Sequence, residues 1–283
     1  MESLLNAVAL LSVDEKQLLV SQLSFETNKK PNTTFSNPKL SSKDLSRLDG
    51  LGLDLKNVGN RLPSLHLPIS VTLSNPTDWL CNSLDKINRV WELKTEQACR
   101  IIIDAILTEV LSESDLNLTG FCEVPNDWTG SGFGYKGYLD YAFGSSKFID
   151  DMDTLIMVLE SKRDWPSTAV YQVLAEAGCF LKRRLEQDKM TPVFAVLSNG
   201  DFFRFFAIDE KSVVFCSKLI ALSVPDDGDW KNSKSLVEIL TWFNWFITCM
   251  AVFSPRVSRV TLTDTHKESL QSEIRECFGV YKF

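Results

Sequence analysis

The sequence predicts an α/β protein in which a central mixed β-sheet is flanked by helices, preceded by a helical and irregular N-terminal arm. Three observations carry this. Apolar, partly β-branched runs such as Leu155–Leu159 have the length and composition of strands buried on both faces. Amphipathic stretches at helical spacing separate groups of these runs. Their order is helix, three strands, helix, two or three strands, helix, with a crossover helix joining the third and fourth strands.

With 283 residues, 44% of them apolar and 11% aromatic, the chain is long enough for one sizeable core and an appendage. Residues 2–24 place Leu4, Leu5, Val8, Leu11, Leu18, Leu19 and Leu23 at helical spacing around a break at 13–16. From Ser24 to Pro76 the composition turns to Ser, Asn, Pro, Thr, Lys and Gly, a linker or arm lying on the main body. Hence residues 1–75 are assigned to the arm and 76–283 to the domain.

Asn75-Pro76-Thr77-Asp78 opens a helix reaching about Val90, with Pro76 expected in its first turn. A second helix runs from about Thr95 to Glu113, where Glu96 and Arg100 form a favourable i,i+4 pair. Leu116–Val124 reads as a strand and Trp128–Gly137 as a Gly-rich turn. Gly137–Phe143 and Leu155–Lys162 are the next strands, separated by an acidic surface turn with Asp150, Asp151 and Asp153. Trp165-Pro166-Ser167 starts a helix with Val170, Val173, Leu174, Ala177 and Leu181 on one stripe. Pro192–Leu197 and Phe202–Ile208 flank Ser198-Asn199-Gly200-Asp201, a hairpin signature, and 212–216 adds an edge strand. The Trp- and Phe-rich stretch at about 232–252 is a final core helix, and the 256–283 tail holds a short strand and an amphipathic helix.

The net charge of −7 argues against a surface dominated by nonspecific nucleic-acid binding, while leaving room for a local basic patch. No run of eighteen apolar residues suggests a spanning helix, so no membrane partner is expected, and the N-terminus lacks the basic start of a secretory signal. Seven scattered cysteines without a CxxC pair fit reduced thiols, and with them an intracellular setting, cytoplasmic or nuclear. Two histidines, His66 and His266, speak against zinc or His-dependent nucleophilic chemistry.

The charges that demand an explanation are Asp140, Glu160 and Lys162. Each lies in or at the end of an apolar strand, and alternation puts Glu160 and Lys162 on one face with Ser161 on the other. Burying such groups is expensive unless they pair or bind an ion. Two carboxylates from adjacent strands can hold Mg²⁺ through hard oxygen ligands, and a nearby Lys can polarise water or stabilise developing negative charge. The competing reading is a buried structural ion pair of Lys162 with Asp140 or Glu160.

These residues resemble the PD-(D/E)xK nuclease superfamily, which has the restriction-endonuclease-like fold: Asp140, then Glu160-Ser161-Lys162, then a helix carrying Gln172. The likeness spans about Glu96 to Ile208, with Leu139 where the motif has Pro. It implies Asp140 and Glu160 as ligands for Mg²⁺ (or Mn²⁺), Glu96 as a supporting acid and Lys162 as the catalytic lysine. Gln172 would orient a ligand or contact DNA. The later hairpin, with Gly200-Asp201-Phe202-Phe203-Arg204-Phe205-Phe206, also resembles fungal and oomycete relatives that include crinkler-type effector domains, although the start lacks the crinkler leader motif.

The implied function is a metal-dependent nuclease acting on nucleic acid, DNA favoured. The alternative is a catalytically inactive binding or effector module on the same fold. Lys136 and the cluster Lys182, Arg183 and Arg184 are the candidate nucleic-acid contacts, with a solvated helix end as the plainer account of the cluster. Residues 1–75 offer a surface for a protein partner. Gly132-Phe133-Gly134-Tyr135-Lys136-Gly137 fits G-x-G-x-x-G, but a strand follows it, so a hairpin tip is the better account than a phosphate cradle. Trp242 and Trp245 are most simply core. Oligomeric state is left open.

Overall fold

The computed structural model describes residues 34–36, 51, 53, 62–92, 95–114, 116, 118–129, 134–144, 155–162, 167–187, 192–209, 211–225, 228–253 and 263–278. The helix expected at 2–24, the acidic turn at 150–153 and the tip residues Gly132 and Phe133 lie outside them. So do residues 256–262 and 279–283 of the tail in which a short strand was expected.

Eight strands form one mixed sheet. They are β1 (Thr34–Ser36), β2 (Thr119–Thr129), β3 (Gly134–Gly144), β4 (Leu155–Ser161), β5 (Val193–Ser198), β6 (Phe202–Ile208), β7 (Val214–Cys216) and β8 (Ile220–Ala221). The helices are α1 (Asp78–Val90), α2 (Glu96–Ser112), α3 (Ser167–Glu186), α4 (Lys234–Phe253) and α5 (Asp264–Cys277). Strands β2, β3 and β4 run antiparallel, β5 lies parallel to β4 across the α3 crossover, and β6 returns antiparallel. This is the expected α/β architecture. The arm adds what the sequence did not signal: β1 pairs in parallel with the start of β3, through Thr34, Phe35 and Ser36.

Helix starts follow the local chemistry. Thr77 caps α1 by accepting from the Leu80 amide, and Thr95 caps α2 by accepting from Ala98. Pro76 therefore precedes the cap instead of entering the first turn. Buried Glu109 of α2 accepts both the Thr77 amide and its hydroxyl at 2.7 Å, tying the two helices together. The longest departure is in the β2–β3 ribbon: β2 runs past Val124 through Pro125 to Thr129 and β3 begins at Gly134, so both strands enter the stretch expected to be a turn from Trp128 to Gly137. Proline is tolerated there because β2 pairs only with β3, so one of its edges needs no amide donor.

The two faces of the sheet have separate cores. One packs against α1, α2 and α4 and is aromatic, with Phe194 stacked on Phe246 and Phe205 stacked on Trp242. Trp242 and Trp245 are buried in it, as expected. The other lies under α3, where Ala169, Ala175, Ala177 and Cys179 are buried together with Leu51 and Leu53 of the arm. Leu65 joins the first core. Segments N-terminal to residue 76 thus belong to the same cores as the domain.

Ribbon β2–β3 turns over at one place. Tyr135 and Leu139 pack under α3, whereas Tyr141 and Phe143, of the same parity, pack on the aromatic face. Asp140 sits at the reversal, and Glu123 opposite it on β2 has φ of 53°, in the left-handed region that non-glycine residues rarely occupy. The antiparallel register of Tyr141 with Leu159 makes Asp140 and Glu160 the next pair along.

Candidate functional site

Charged side chains from four elements, α2, β2, β3 and β4, converge beside the end of β4. Asp140 Oδ2 accepts the Ser161 amide at 2.6 Å, and Oδ1 is ion-paired with the Arg100 guanidinium of α2. Arg100 also reaches Glu123 of β2 and, at 3.7 Å, Glu96 one turn earlier on its own helix. Lys162 is ion-paired with Glu160 and stands 4.0 Å from Glu96. Its amide donates to the Ser198 carbonyl at 2.9 Å, which fixes the lysine to the end of β5. Gly200 completes this arrangement. Its φ of +85° turns the β5–β6 hairpin, and a side chain there would meet the Cys99 carbonyl at 3.0 Å, so the hairpin seats against the first turn of α2.

A second layer lies beneath. Gln172 of α3 donates to Glu160 Oε1 and, at 3.2 Å, to Glu176 Oε1. Tyr135 donates to Glu176 at 3.2 Å, and the Asn126 amide group to the Glu176 carbonyl at 3.4 Å. Glu160 is 1% exposed and Glu176 fully buried. The Gln172 side-chain amide bridges the two carboxyls, while Oε2 of each is buried without a hydrogen-bond partner.

Burial dominates the electrostatics. It pushes Glu160 up to about 7, helped by the charge of Asp140 and opposed by Lys162. Glu176 is held well above the usual carboxylate range by burial and by the neighbouring Glu160. Asp140 is raised by burial, against which the Ser161 amide and Arg100 pull it down. Burial works against the Lys162 ammonium, but Glu160, Asp140 and Glu96 outweigh it and the net shift is upward. Burial thus raises both glutamates, whereas the acids around Lys162 hold it protonated.

All five residues of the expected catalytic set, Asp140, Glu160, Lys162, Gln172 and Glu96, are brought together. The expected nucleic-acid contacts are more dispersed. Lys136 is exposed and pairs with Asp127 at 3.7 Å, about 13 Å along β3 from Asp140. Lys182 and Arg183 are half-buried on α3, about 15 Å along the helix from Gln172. Arg184 is a correction: at 2% exposure it lies on the inner side of α3, while Leu185 and Glu186 beyond it stay exposed.

Sequence reasoning missed Glu176, Glu123, Tyr135 and the role of Arg100. Glu176 had a visible signal, since an acid one helical turn after Gln172 lies beside the apolar stripe of α3. Arg100 was visible only as the partner of Glu96. Glu123 had none, because its position depends on the reversal of the β2–β3 ribbon.

The donor set suits a hard divalent cation. Asp140, Glu160 and Glu96 offer carboxylate oxygens, and Glu160 Oε2 is buried with no N–H donor on it. As the side chains stand, Arg100 and Lys162 lie between the acids, and among the described residues no three acidic, thiol or imidazole groups form a metal cage. No helix among the described residues is long and apolar enough to cross a membrane. No family model matches the chain, and no curated protein does either.

Proposed function

We propose that the chain is a metal-dependent nuclease of the PD-(D/E)xK kind, hydrolysing phosphodiester bonds in nucleic acid, with DNA the favoured substrate. The observation that carries this reading is the convergence of Asp140, Glu160, Lys162, Gln172 and Glu96, which lie up to 76 positions apart in sequence, at one strand end.

Asp140 and Glu160 would hold Mg²⁺ (or Mn²⁺), with Glu96 at the rim. The bound cation would supply Lewis-acid activation of water and charge neutralisation at the phosphate. Lys162, kept protonated by its acidic neighbours, orients the attacking water and stabilises negative charge developing on the phosphate oxygens. Gln172 orients Glu160 through Oε1, leaving Oε2 without an N–H donor. Lys136, Lys182 and Arg183 are suited to flanking backbone phosphates, one charge each. All seven cysteines are free, which suits a reducing cytoplasmic or nuclear setting. Residues 1–75 would be the place for a protein partner.

The test is cleavage of single- and double-stranded DNA and of RNA by the full chain, with Mg²⁺, with Mn²⁺ and with EDTA. Cutting should require the cation and fall by at least about 100-fold in Lys162→Ala, the scale of losing one preorganised charge-stabilising group. Equal cutting by wild type and variant would overturn the assignment of Lys162.

One observation favours a second reading. Arg100 is ion-paired with Asp140, so both oxygens of that carboxylate are already engaged. A noncatalytic binding or effector module would keep that pair permanently. It would show neither cation-dependent cutting nor a cation-dependent rise in Tm.

A further inference from the structure

We infer that Arg100 is an internal competitor for the divalent cation: it holds Asp140 Oδ1 and yields to the ion by giving up that contact while keeping Glu123 and Glu96. This rests on the nuclease-type reading of Asp140 and Glu160 as cation ligands.

The geometry supplies each part of such an exchange. Asp140 has one oxygen fixed by the Ser161 amide, a bond that need not break. Its other oxygen is held only by Arg100 among the contacts that the structure records for it. The guanidinium is a fork with five donors, and here it already spans three carboxylates from three elements. Release from Asp140 therefore does not strand a buried charge, because Glu123 and Glu96 remain within reach. Both are more open to water than Asp140, at 61% and 41% exposure of the side chain against 10%.

Glu123 is the unusual partner. It lies directly across the ribbon from Asp140, at the one reversal of β2–β3, and holds its side chain toward Arg100 from a backbone conformation that costs energy. A carboxylate merely solvating an arginine needs no such placement. Set opposite Asp140, it provides a second seat on the outer side of the guanidinium. Lys162 provides no comparable seat for Asp140, since its ammonium pairs with Glu160.

Competition of this kind makes opposite predictions for the two partners. Arg100→Gln removes the competitor and should tighten cation binding. Glu123→Gln removes the second seat, holds Arg100 more firmly on Asp140 and should weaken it. A purely structural role for the cluster would shift both variants the same way. The apparent affinity of a site whose competent state is partly populated falls by that fraction, and losing one charge-assisted hydrogen bond corresponds to about a tenfold change or more.

The experiment is a titration of the full chain with Mn²⁺ alone, without nucleic acid, following free Mn²⁺ by electron paramagnetic resonance. Wild type, Arg100→Gln, Arg100→Lys, Glu123→Gln, the Arg100→Gln/Glu123→Gln pair and Asp140→Asn are compared. Expected are binding by wild type, at least about tenfold tighter binding by Arg100→Gln, an intermediate value for Arg100→Lys and weaker binding by Glu123→Gln. Glu123→Gln should have a smaller effect once Arg100 is gone, and Asp140→Asn should abolish binding. Equal affinity of wild type and Arg100→Gln, with binding still lost in Asp140→Asn, would overturn the competitor and leave the cation site standing. Absence of Mn²⁺ binding in every variant, including Arg100→Gln, would overturn the competitor together with the site.

Discussion

The two faces of the sheet are built on different principles. On the α2–α4 face, Phe205 lies against Trp242, Phe243 and Phe246 with ring centroids 5.2–5.6 Å apart, and bulk and shape fill the space. On the α3 face the helix intersperses Ala169, Ala175 and Ala177 among Val173, Leu174, Phe180 and Leu181, and turns Gly178 toward Leu51 and Leu53 of the arm. Among these side chains Gln172 reaches both Glu160 and Glu176. The apolar face stabilises the fold, and the α3 face carries a polar site at the cost of burying two carboxyls.

The largest expected effect lies on the aromatic face. Phe205→Ala removes a fully buried ring from among three others and should cost about 3–5 kcal/mol. Thermal unfolding would show this as a fall in Tm of roughly 10 °C. Mn²⁺ affinity of the folded variant should stay within about twofold of wild type, because no side chain of the site touches that ring network. A variant that folds normally yet loses the cation would show that the faces are not independent.

This division also governs what was legible in the sequence. The aromatic face was readable in part: Trp242, Trp245, Phe203 and Phe205 are core, although Phe202 is exposed and Phe206 packs under α3, and the second helix starts at Thr95 as expected while the first starts after Pro76. Asp140, Glu160, Lys162 and Gln172 stood out because charge in an apolar strand, or an amide at a crossover helix, is locally anomalous. Residues whose role arises from contact between distant elements did not stand out. Glu109 clamping Thr77 and Glu123 facing Arg100 depend on helix docking and on the ribbon reversal, and neither leaves a periodic trace. Arg184 was misjudged for the same reason, since its sequence neighbourhood is that of an exposed helix end.

The next effect separates the faces by pH. Glu160 in the native protein is pushed up to about 7 from an ordinary 4.5. Between those values the native state holds more protons than the unfolded one, so stability falls as pH rises. The stabilisation is complete below about 4.5, and its loss through pH 7 is on the order of 3 kcal/mol. Glu176, raised further by burial and by Glu160, extends the decline to higher pH. Calorimetry in EDTA from pH 5 to 8 should show this slope in wild type. Glu176→Gln keeps an acceptor for Tyr135 and Gln172 without an ionisable proton. It should match wild type within about 1 kcal/mol at pH 5 and be the more stable protein at pH 8. Phe205→Ala should retain the wild-type slope. An unchanged slope in Glu176→Gln would remove that residue from the account.

The smallest effect tests how tightly the arm closes the α3 face. A Cβ at Gly178 would stand 3.1 Å from Leu51 Cδ1 and 3.3 Å from Leu53 Cδ1, both in fully or almost fully buried side chains. Alanine gains about 1 kcal/mol over glycine in a helix interior, so the contact and the propensity oppose each other. In the wild-type background Gly178→Ala should destabilise by less than about 1 kcal/mol, because the two leucines have little room to yield. With Leu51→Ala already in place the obstruction is largely gone, and Gly178→Ala should become stabilising by up to about 1 kcal/mol. Chemical denaturation of the four proteins in this cycle isolates the coupling. A sign change would show that residues of the arm press directly on the helix that carries Gln172 and Glu176. The same sign in both backgrounds would mean that α3 holds its distance from the sheet without the arm, through its own side chains.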